Sequence, residues 1–103
     1  MQEVLENLIA GIVPVAAPVK ILQYHEKYKP NGEPLSVKLC IVTPRTDVDK
    51  IEHELYVTLD CDVPFDLLVY DTEEWEHLIN TPLSFAKRIQ ETGRVLYEKN
   101  QTQ

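Results

Sequence analysis

The residue type that first suggests chemistry is a single acid inside the most apolar stretch of the chain. Residues 63–70 read Val-Pro-Phe-Asp-Leu-Leu-Val-Tyr, which predicts a buried central strand because the run is rich in β-favouring side chains. Asp66 interrupts this run. A carboxylate buried in a strand needs an ion partner, a metal or an open cleft. A metal ligand and an acid paired within the fold are therefore both open as roles for Asp66.

The other metal-binding and nucleophilic side chains do not form a pattern. The histidines His25, His53 and His77 have no short mutual spacing and no companion cysteine, so we expect solvated or hydrogen-bonded side chains. Cys40 lies in an apolar run and should pack as a small hydrophobe, whereas Cys61 should be partly exposed. The histidines and cysteines therefore predict no metal site, and the sequence contains no nucleophile–histidine–acid triad and no phosphate-binding glycine loop.

Composition limits the classes of function. With 103 residues the chain is predicted to form one domain over residues 1–99, followed by a polar tail at 100–103. The net charge of −7 argues against a general nucleic-acid binder, which needs a basic face. No apolar run reaches membrane length and the start is acidic rather than signal-like, so we expect a cytoplasmic protein without a membrane span.

Hydrophobic periodicity predicts a small α+β domain. Apolar stripes at helical spacing predict four helices, and β-favouring runs predict a hairpin, the central strand and a short edge strand. The predicted helices cover residues 2–13, 47–59, 73–79 and 82–92, and the predicted strands cover 19–28, 35–43, 64–70 and 95–97. The order of these elements predicts a mixed sheet covered by helices.

Turn and capping residues set the predicted boundaries. Pro14 should end the first helix, Asn31-Gly32 should turn the hairpin, and Gly93 should end the last helix. The predicted caps of the other helix starts are Thr46 or Asp47, then Asp71 with Glu74, then Thr81 with Pro82 at the first helical position.

Two groups of exposed side chains have alternative explanations. Tyr24, His25, Lys27 and Tyr28 could form a stacking platform for a base, or an exposed interaction edge, which the acidic chain favours. Lys87 and Arg88 are expected late in their helix, where cations suit the helix dipole and need no ligand.

The second half of the chain resembles the minimal nucleotidyltransferase domains of the DNA polymerase β superfamily, which are often encoded beside a helical HEPN partner. Four motifs carry the resemblance in the family's order: Phe65-Asp66-Leu67-Leu68-Val69, Asp71-Thr72-Glu73-Glu74-Trp75, Pro82-Leu83-Ser84-Phe85 and Gly93-Arg94-Val95-Leu96-Tyr97-Glu98. The segments 18–22 and 39–42 also fall where the family has them. The resemblance implies a nucleotidyltransferase-like fold and Mg²⁺-dependent nucleotidyl transfer from ATP.

The positions that would bind the nucleotide depart from the family pattern. The family has a Gly-Ser turn that opens a short helix, followed by a further glycine. Gln23 and Tyr24 align with that turn, and Tyr28 aligns with the later glycine. These side chains prevent the close approach of backbone to phosphate that glycine permits.

The metal-binding positions depart as well. The two family aspartates spaced one residue apart align with Ser36 and Lys38, and Asp66 aligns with the third. Two Mg²⁺ ions need clustered carboxylates. We therefore predict that Lys38 and Asp66 lie on neighbouring strands and pair, so that an ammonium takes the place of the metal.

Three functions follow from this resemblance. The leading one is a degenerate, non-catalytic nucleotidyltransferase-like protein that needs no cofactor and acts through a HEPN-type partner or self-association, with residues 24–39 as the predicted interaction edge. The first alternative is an active enzyme that rebuilds a Mg²⁺ site from Asp66 with Glu26 or Glu33. The second is a nucleotide-binding sensor without chemistry.

Overall fold

The structure, a computed structural model, describes residues 2–24, 27–32 and 34–99, with the backbone alone at residues 2, 27, 28, 34 and 35. Helices and strands occur in the mixture that the sequence predicts, and the architecture is consistent with a small α+β fold of nucleotidyltransferase type. The elements in chain order are α1 (Gln2–Ala16), β1 (Lys20–Gln23), β2 (Lys27–Tyr28), β3 (Pro34–Thr43), α2 (Val48–Thr58), β4 (Phe65–Asp71), α3 (Thr72–Ile79), α4 (Phe85–Thr92) and β5 (Arg94–Glu98).

The sheet is built around β3. β1 pairs with β3 antiparallel on one side and β4 pairs with it parallel on the other, while β5 adds to the outer side of β1. β2 pairs with the first residues of β3, which confirms the predicted hairpin. A parallel pair needs a crossover connection, and α2 supplies it between β3 and β4.

The prediction that residues 64–70 form the central strand is wrong in position. β4 forms there, but within the described residues its only strand partner is β3, and Leu67 is its only buried side chain. Helices α2 and α3 both pack against β4. Their packing accounts for the apolar composition of this run without neighbouring strands on both sides.

Alternate strand residues divide the core between two faces of the sheet. In β1, β3 and β4, odd-numbered positions face α1 and α2, and even-numbered positions face α3 and α4. On the α1–α2 face the buried side chains are Leu5, Leu8, Ile12, Ala16, Ile21, Val37, Leu39, Ile41, Ile51, Leu55 and Leu67. On the α3–α4 face they are Leu22, Tyr24, Cys40, Val42, Trp75, Ala86 and Ile89.

Helix α1 continues past Pro14 to Ala16, so the predicted end at residue 13 is wrong. Proline frees the carbonyl four residues earlier, but Pro14 and Ala10 both lie on the exposed side of α1, where water can satisfy that carbonyl. The last turn is also held from outside the helix. Thr43 Oγ1 donates to the Ala16 carbonyl at 2.7 Å, and Arg45 Nη1 donates to the Val15 carbonyl at 2.6 Å.

Helix α4 begins at Phe85, three residues later than predicted, and the cap assigned to Thr81 and Pro82 is wrong. Ser84 caps the helix instead. Its hydroxyl accepts from the Lys87 amide at 3.0 Å and donates to the Leu78 carbonyl. The preceding turn requires Leu83 to adopt a φ of +64°, a left-handed conformation that L-residues rarely take.

Most other local predictions are confirmed. Asp71 caps α3 by accepting from the Glu74 amide at 2.7 Å, and Gly32 adopts a φ of +89° in the hairpin turn. Asp47 occupies the cap position of α2 without a side-chain cap, because its carboxylate binds Arg45. Gly93 ends α4 in an extended rather than a left-handed conformation. None of the helices in the described ranges is both long and apolar enough to cross a membrane.

Candidate functional site

Three of the predicted site residues form one cross-strand row on the α3–α4 face. Lys38 in β3 is opposite Asp66 in β4, and the amide of Tyr24 donates to the Lys38 carbonyl at 3.0 Å. The row is one pair further along the sheet than the buried row that contains Leu22 and Cys40. The three side chains therefore lie where the core of this face reaches solvent.

Two members of this row, Lys38 and Asp66, form an ion pair. Lys38 Nζ lies 2.7 Å from Asp66 Oδ2, and the two side chains are 31% and 59% exposed. The predicted pairing of these residues is confirmed. The parallel register of β3 and β4 produces the contact, because Lys38 and Asp66 are direct partners and project from the same face. Because both side chains are partly exposed, the ion pair contributes little to the free energy of unfolding. What it does is hold one positive and one negative charge at a defined position on this face.

Tyr24 forms the third member of the row and is buried, so the expectation that it is exposed is wrong. Its ring packs edge-on against Phe85 with 5.5 Å between the ring centroids. Burial, together with the nearby Cys40 and Asp66, raises the pKa of Tyr24 to about 12. The phenol therefore stays protonated at neutral pH, and it offers neither a general base nor a nucleophile there.

Ser36 and Gln23 lie on opposite faces of the sheet. Ser36 has the same strand parity as Lys38 and sits half-buried on the same face of β3. Gln23 faces the opposite, α1–α2 side and is 2% exposed. Its Oε1 atom is buried and has no hydrogen-bond partner among the described residues. The structure thus groups Ser36, Lys38, Asp66 and Tyr24, and separates Gln23 from them.

The residues at this row do not fit a Mg²⁺ site. Hard divalent cations require several oxygen ligands with negative charge. Here one carboxylate is bound to an ammonium group, and the neighbouring side chain is a hydroxyl. Within the described residues no three histidine, cysteine or acidic side chains cluster as a metal site. Both His53 and His77 are exposed.

Several predicted positions cannot be placed at this site. His25, Glu26 and Glu33 lie outside the described residues, and only the backbone is described for Lys27 and Tyr28. That backbone forms β2. The cysteines behave as predicted. Cys40 is buried, which raises its thiol pKa to about 12, and Cys61 is partly exposed.

Two cavities along α4 have no signature in the sequence, and the smaller one includes a residue of the row. One cavity of about 410 Å³ is lined by Leu83, Lys87, Arg88 and Glu91 among others. A second, of about 220 Å³, is lined by residues that include Tyr24, Phe85 and Arg88. Phe85 is 43% exposed, although an apolar side chain in the helical stripe of residues 82–92 would be expected to face the core. The sequence signal for this arrangement is Ser84, which caps α4 and makes Phe85 its first residue.

Comparison with known proteins yields no match among family models, curated proteins or solved structures.

Proposed function

We propose that this chain is a cytoplasmic, degenerate nucleotidyltransferase-like protein that performs no nucleotidyl transfer and acts through protein contacts. The resemblance in the order of the four sequence motifs supplies the family. The observation that carries the proposal is the ion pair of 2.7 Å between Lys38 and Asp66. It occurs between two positions that align with catalytic carboxylates of the family.

The charge at this position supports the proposal. Two metal ions bound by three carboxylates hold a triphosphate by adding positive charge. Lys38 supplies a single positive charge, and Asp66 neutralises it at a contact distance of 2.7 Å. The remaining hydroxyl of Ser36 is a weak metal ligand, so one carboxylate would have to hold the ion almost alone.

The backbone at the nucleotide-binding positions gives independent support. A phosphate cradle needs free amide groups at a turn or a helix start. The Tyr24 amide already donates to the Lys38 carbonyl at 3.0 Å, as part of the ladder between neighbouring strands. Residues 27–28, where the family has a short helix and a glycine, form strand β2 and pair with β3.

The direct test is calorimetric titration of the purified protein with Mg²⁺-ATP, repeated in the presence of a chelator. We expect no binding heat at millimolar ligand. Metal-dependent binding would contradict the proposal and would favour an active enzyme, for which Asp66→Ala should abolish transfer. Saturable binding that the chelator does not remove would instead identify a nucleotide sensor.

A gain-of-function variant tests the assignment of the degenerate positions. Ser36→Asp combined with Lys38→Asp places two new carboxylates beside Asp66 on one face of the sheet. We expect this double variant to bind Mn²⁺, as measured by calorimetry or electron paramagnetic resonance. The matched control adds Asp66→Asn and should lose the binding. A folded double variant without any Mn²⁺ affinity would count against the alignment of these positions with a metal site.

The partner is proposed on the same resemblance: a helical HEPN-type protein or a second copy of this chain. The predicted interaction edge over residues 24–39 is wrong for its β3 part, because β3 pairs with β2 and β1 on one side and with β4 on the other. Among the described residues of this segment, β2 stands at the end of the sheet, and its outer edge is the proposed contact surface, since unpaired strand edges recruit further strands.

A further inference from the structure

An exposed apolar and charged surface lies along α4, and we define it by Leu83, Phe85, Arg88 and Glu91. Leu83 is fully exposed, at 101%, and its left-handed φ of +64° holds it out from the turn before the helix. Phe85 adds a second apolar side chain at 43% exposure. The cavity of about 410 Å³ lies beside them and is lined by Leu83, Arg88 and Glu91.

The charges of this surface run against the dipole of their own helix. Because α4 begins at Phe85, Lys87 and Arg88 lie in its first half, and the last turn contains Glu91 but no basic residue. The expectation that Lys87 and Arg88 occur late in the helix is therefore wrong. Cations are favourable near a helix C-terminus and acids near an N-terminus, so this helix has the reverse arrangement.

The same charges have no partner within the described chain. No ion pair within 4.0 Å involves Arg88 or Glu91 among the described residues, although the two side chains line one cavity. Lys20, Lys38 and Arg45, in contrast, each bind an acid. Arg88 and Glu91 thus present a cation and an acid, a turn apart, beside Lys87 and the exposed Leu83.

This pattern is self-complementary. When two α4 helices run antiparallel about a two-fold axis between Arg88 and Glu91, each arginine faces the glutamate of the other copy. In a two-fold interface every such contact occurs twice. The first half of each helix then lies beside the last half of the other, which makes both charges favourable with respect to the neighbouring dipole.

We infer that the α4 surface binds a second copy of this chain, as a two-fold dimer with antiparallel α4 helices. The inference rests on the protein-contact part of the proposed function and names the partner. The open edge of β4 is a poorer self-association surface, since the Leu67 amide already donates to the Tyr56 hydroxyl at 2.7 Å. The α4 surface is small, so we expect association in the micromolar to millimolar range.

Sedimentation velocity over a concentration series tests the dimer with a charge-swap design. Arg88→Glu and Glu91→Arg should each weaken dimerisation by about tenfold or more, because each creates two like-charge contacts. The double swap should restore it to within about threefold. Lys50→Glu makes the same charge change as Arg88→Glu at an exposed site on α2 and should have no effect.

Leu83→Gly separates association from folding. Glycine tolerates the left-handed φ of +64° better than leucine does, so this variant should fold at least as stably while dimerising at least about tenfold more weakly. Circular dichroism with urea denaturation measures the first quantity and sedimentation the second.

Three results would overturn the inference. They are a monomer at every concentration, a dimer that ignores all these variants, or single swaps that break association while the double swap does not restore it. None of these results bears on the Mn²⁺ and Mg²⁺-ATP titrations, so failure of the dimer and failure of the proposed function are distinguishable.

Discussion

The two faces of the sheet differ in how their cores end. On the α1–α2 face, apolar side chains are buried along the length of β3, from Val37 through Leu39 to Ile41. On the α3–α4 face the buried rows around Cys40 and Val42 give way to the exposed pair of Lys38 and Asp66. One strand thus contributes to a closed core and to an open row through neighbouring residues. Packing of the core therefore accounts for the α1–α2 face, but it does not account for the ion pair of Lys38 and Asp66 at the end of the α3–α4 face.

The largest expected effect on the free energy of unfolding is in the core of the α1–α2 face. Leu39→Ala removes a fully buried side chain from the α1–α2 core and should lower the free energy of unfolding by about 2–5 kcal/mol. Urea denaturation followed by circular dichroism measures it. A loss below about 1 kcal/mol would contradict the assignment of this face as the main core.

The second effect concerns the buried row of the α3–α4 face and appears at high pH. Burial raises the pKa of the Cys40 thiol from 9.0 to about 12, so the folded state keeps a proton that the unfolded state releases. Stability contributed by this group is therefore fully present below pH 9.0 and is lost as pH rises towards about 12.

In this range Cys40 should contribute a slope of about −1.4 kcal/mol per pH unit. Cys40→Val should remove that part of the slope, as measured by urea denaturation between pH 8 and pH 11. Tyr24, with a pKa raised from 10.0 to about 12, and Tyr70, whose pKa burial also raises, still act in the variant and contribute to the remaining slope. Equal slopes in both proteins would show that Cys40 is not buried in the folded state.

A third prediction concerns a buried polar side chain on the α1–α2 face. Gln23→Met replaces the buried side chain whose Oε1 has no hydrogen-bond partner within the described residues. An unsatisfied buried polar atom is costly, so the variant should be more stable by roughly 1 kcal/mol. Thermal denaturation measures the change. A destabilised variant would mean that the amide makes a contact in solution that stabilises the fold.

The smallest effect on stability is expected at the exposed ion pair of the α3–α4 face. Lys38→Met and Asp66→Asn should each change stability by less than about 1 kcal/mol, because the pair is partly solvated. A double-mutant cycle with both changes should give a coupling energy below about 1 kcal/mol. A much larger coupling would show that the pair is a structural element, and would weaken the case that it replaces a functional site.

The sequence predicted which helices and strands form, and which residues make up the row, better than it predicted where the helices begin and end. The alternation in residues 35–43 and 64–70 places Lys38 and Asp66 correctly once the strands are taken as neighbours. The end of α1 was missed because Pro14 lies on the exposed side and Thr43 and Arg45 hold the next turn from a distance. Such contacts between remote residues leave no local pattern in the sequence.

The start of α4 was missed for a local reason. Thr81-Pro82 and Ser84 are both plausible helix starts, and the hydrogen bond from the Ser84 hydroxyl to the Leu78 carbonyl, which favours the second, links two helices. The central position of β3 could not be read from composition, since β4 is equally apolar. Gln23 was placed with Tyr24 by alignment, although adjacent strand residues project to opposite faces.

The pairing of β5 with β1 has a consequence for the order of folding. Strands β1 and β3 are joined by a hairpin and β3 and β4 by one helix, but β5 joins the sheet through partners such as Ile21 and Tyr97 from nearly opposite ends of the chain. The entropy of closing so long a loop must be met before the contact stabilises anything. We therefore expect β5 to dock last and its amides to show the weakest protection from hydrogen exchange. Until it docks, the outer edge of β1 is open to other chains, and that interval is when newly folding molecules are most prone to aggregate.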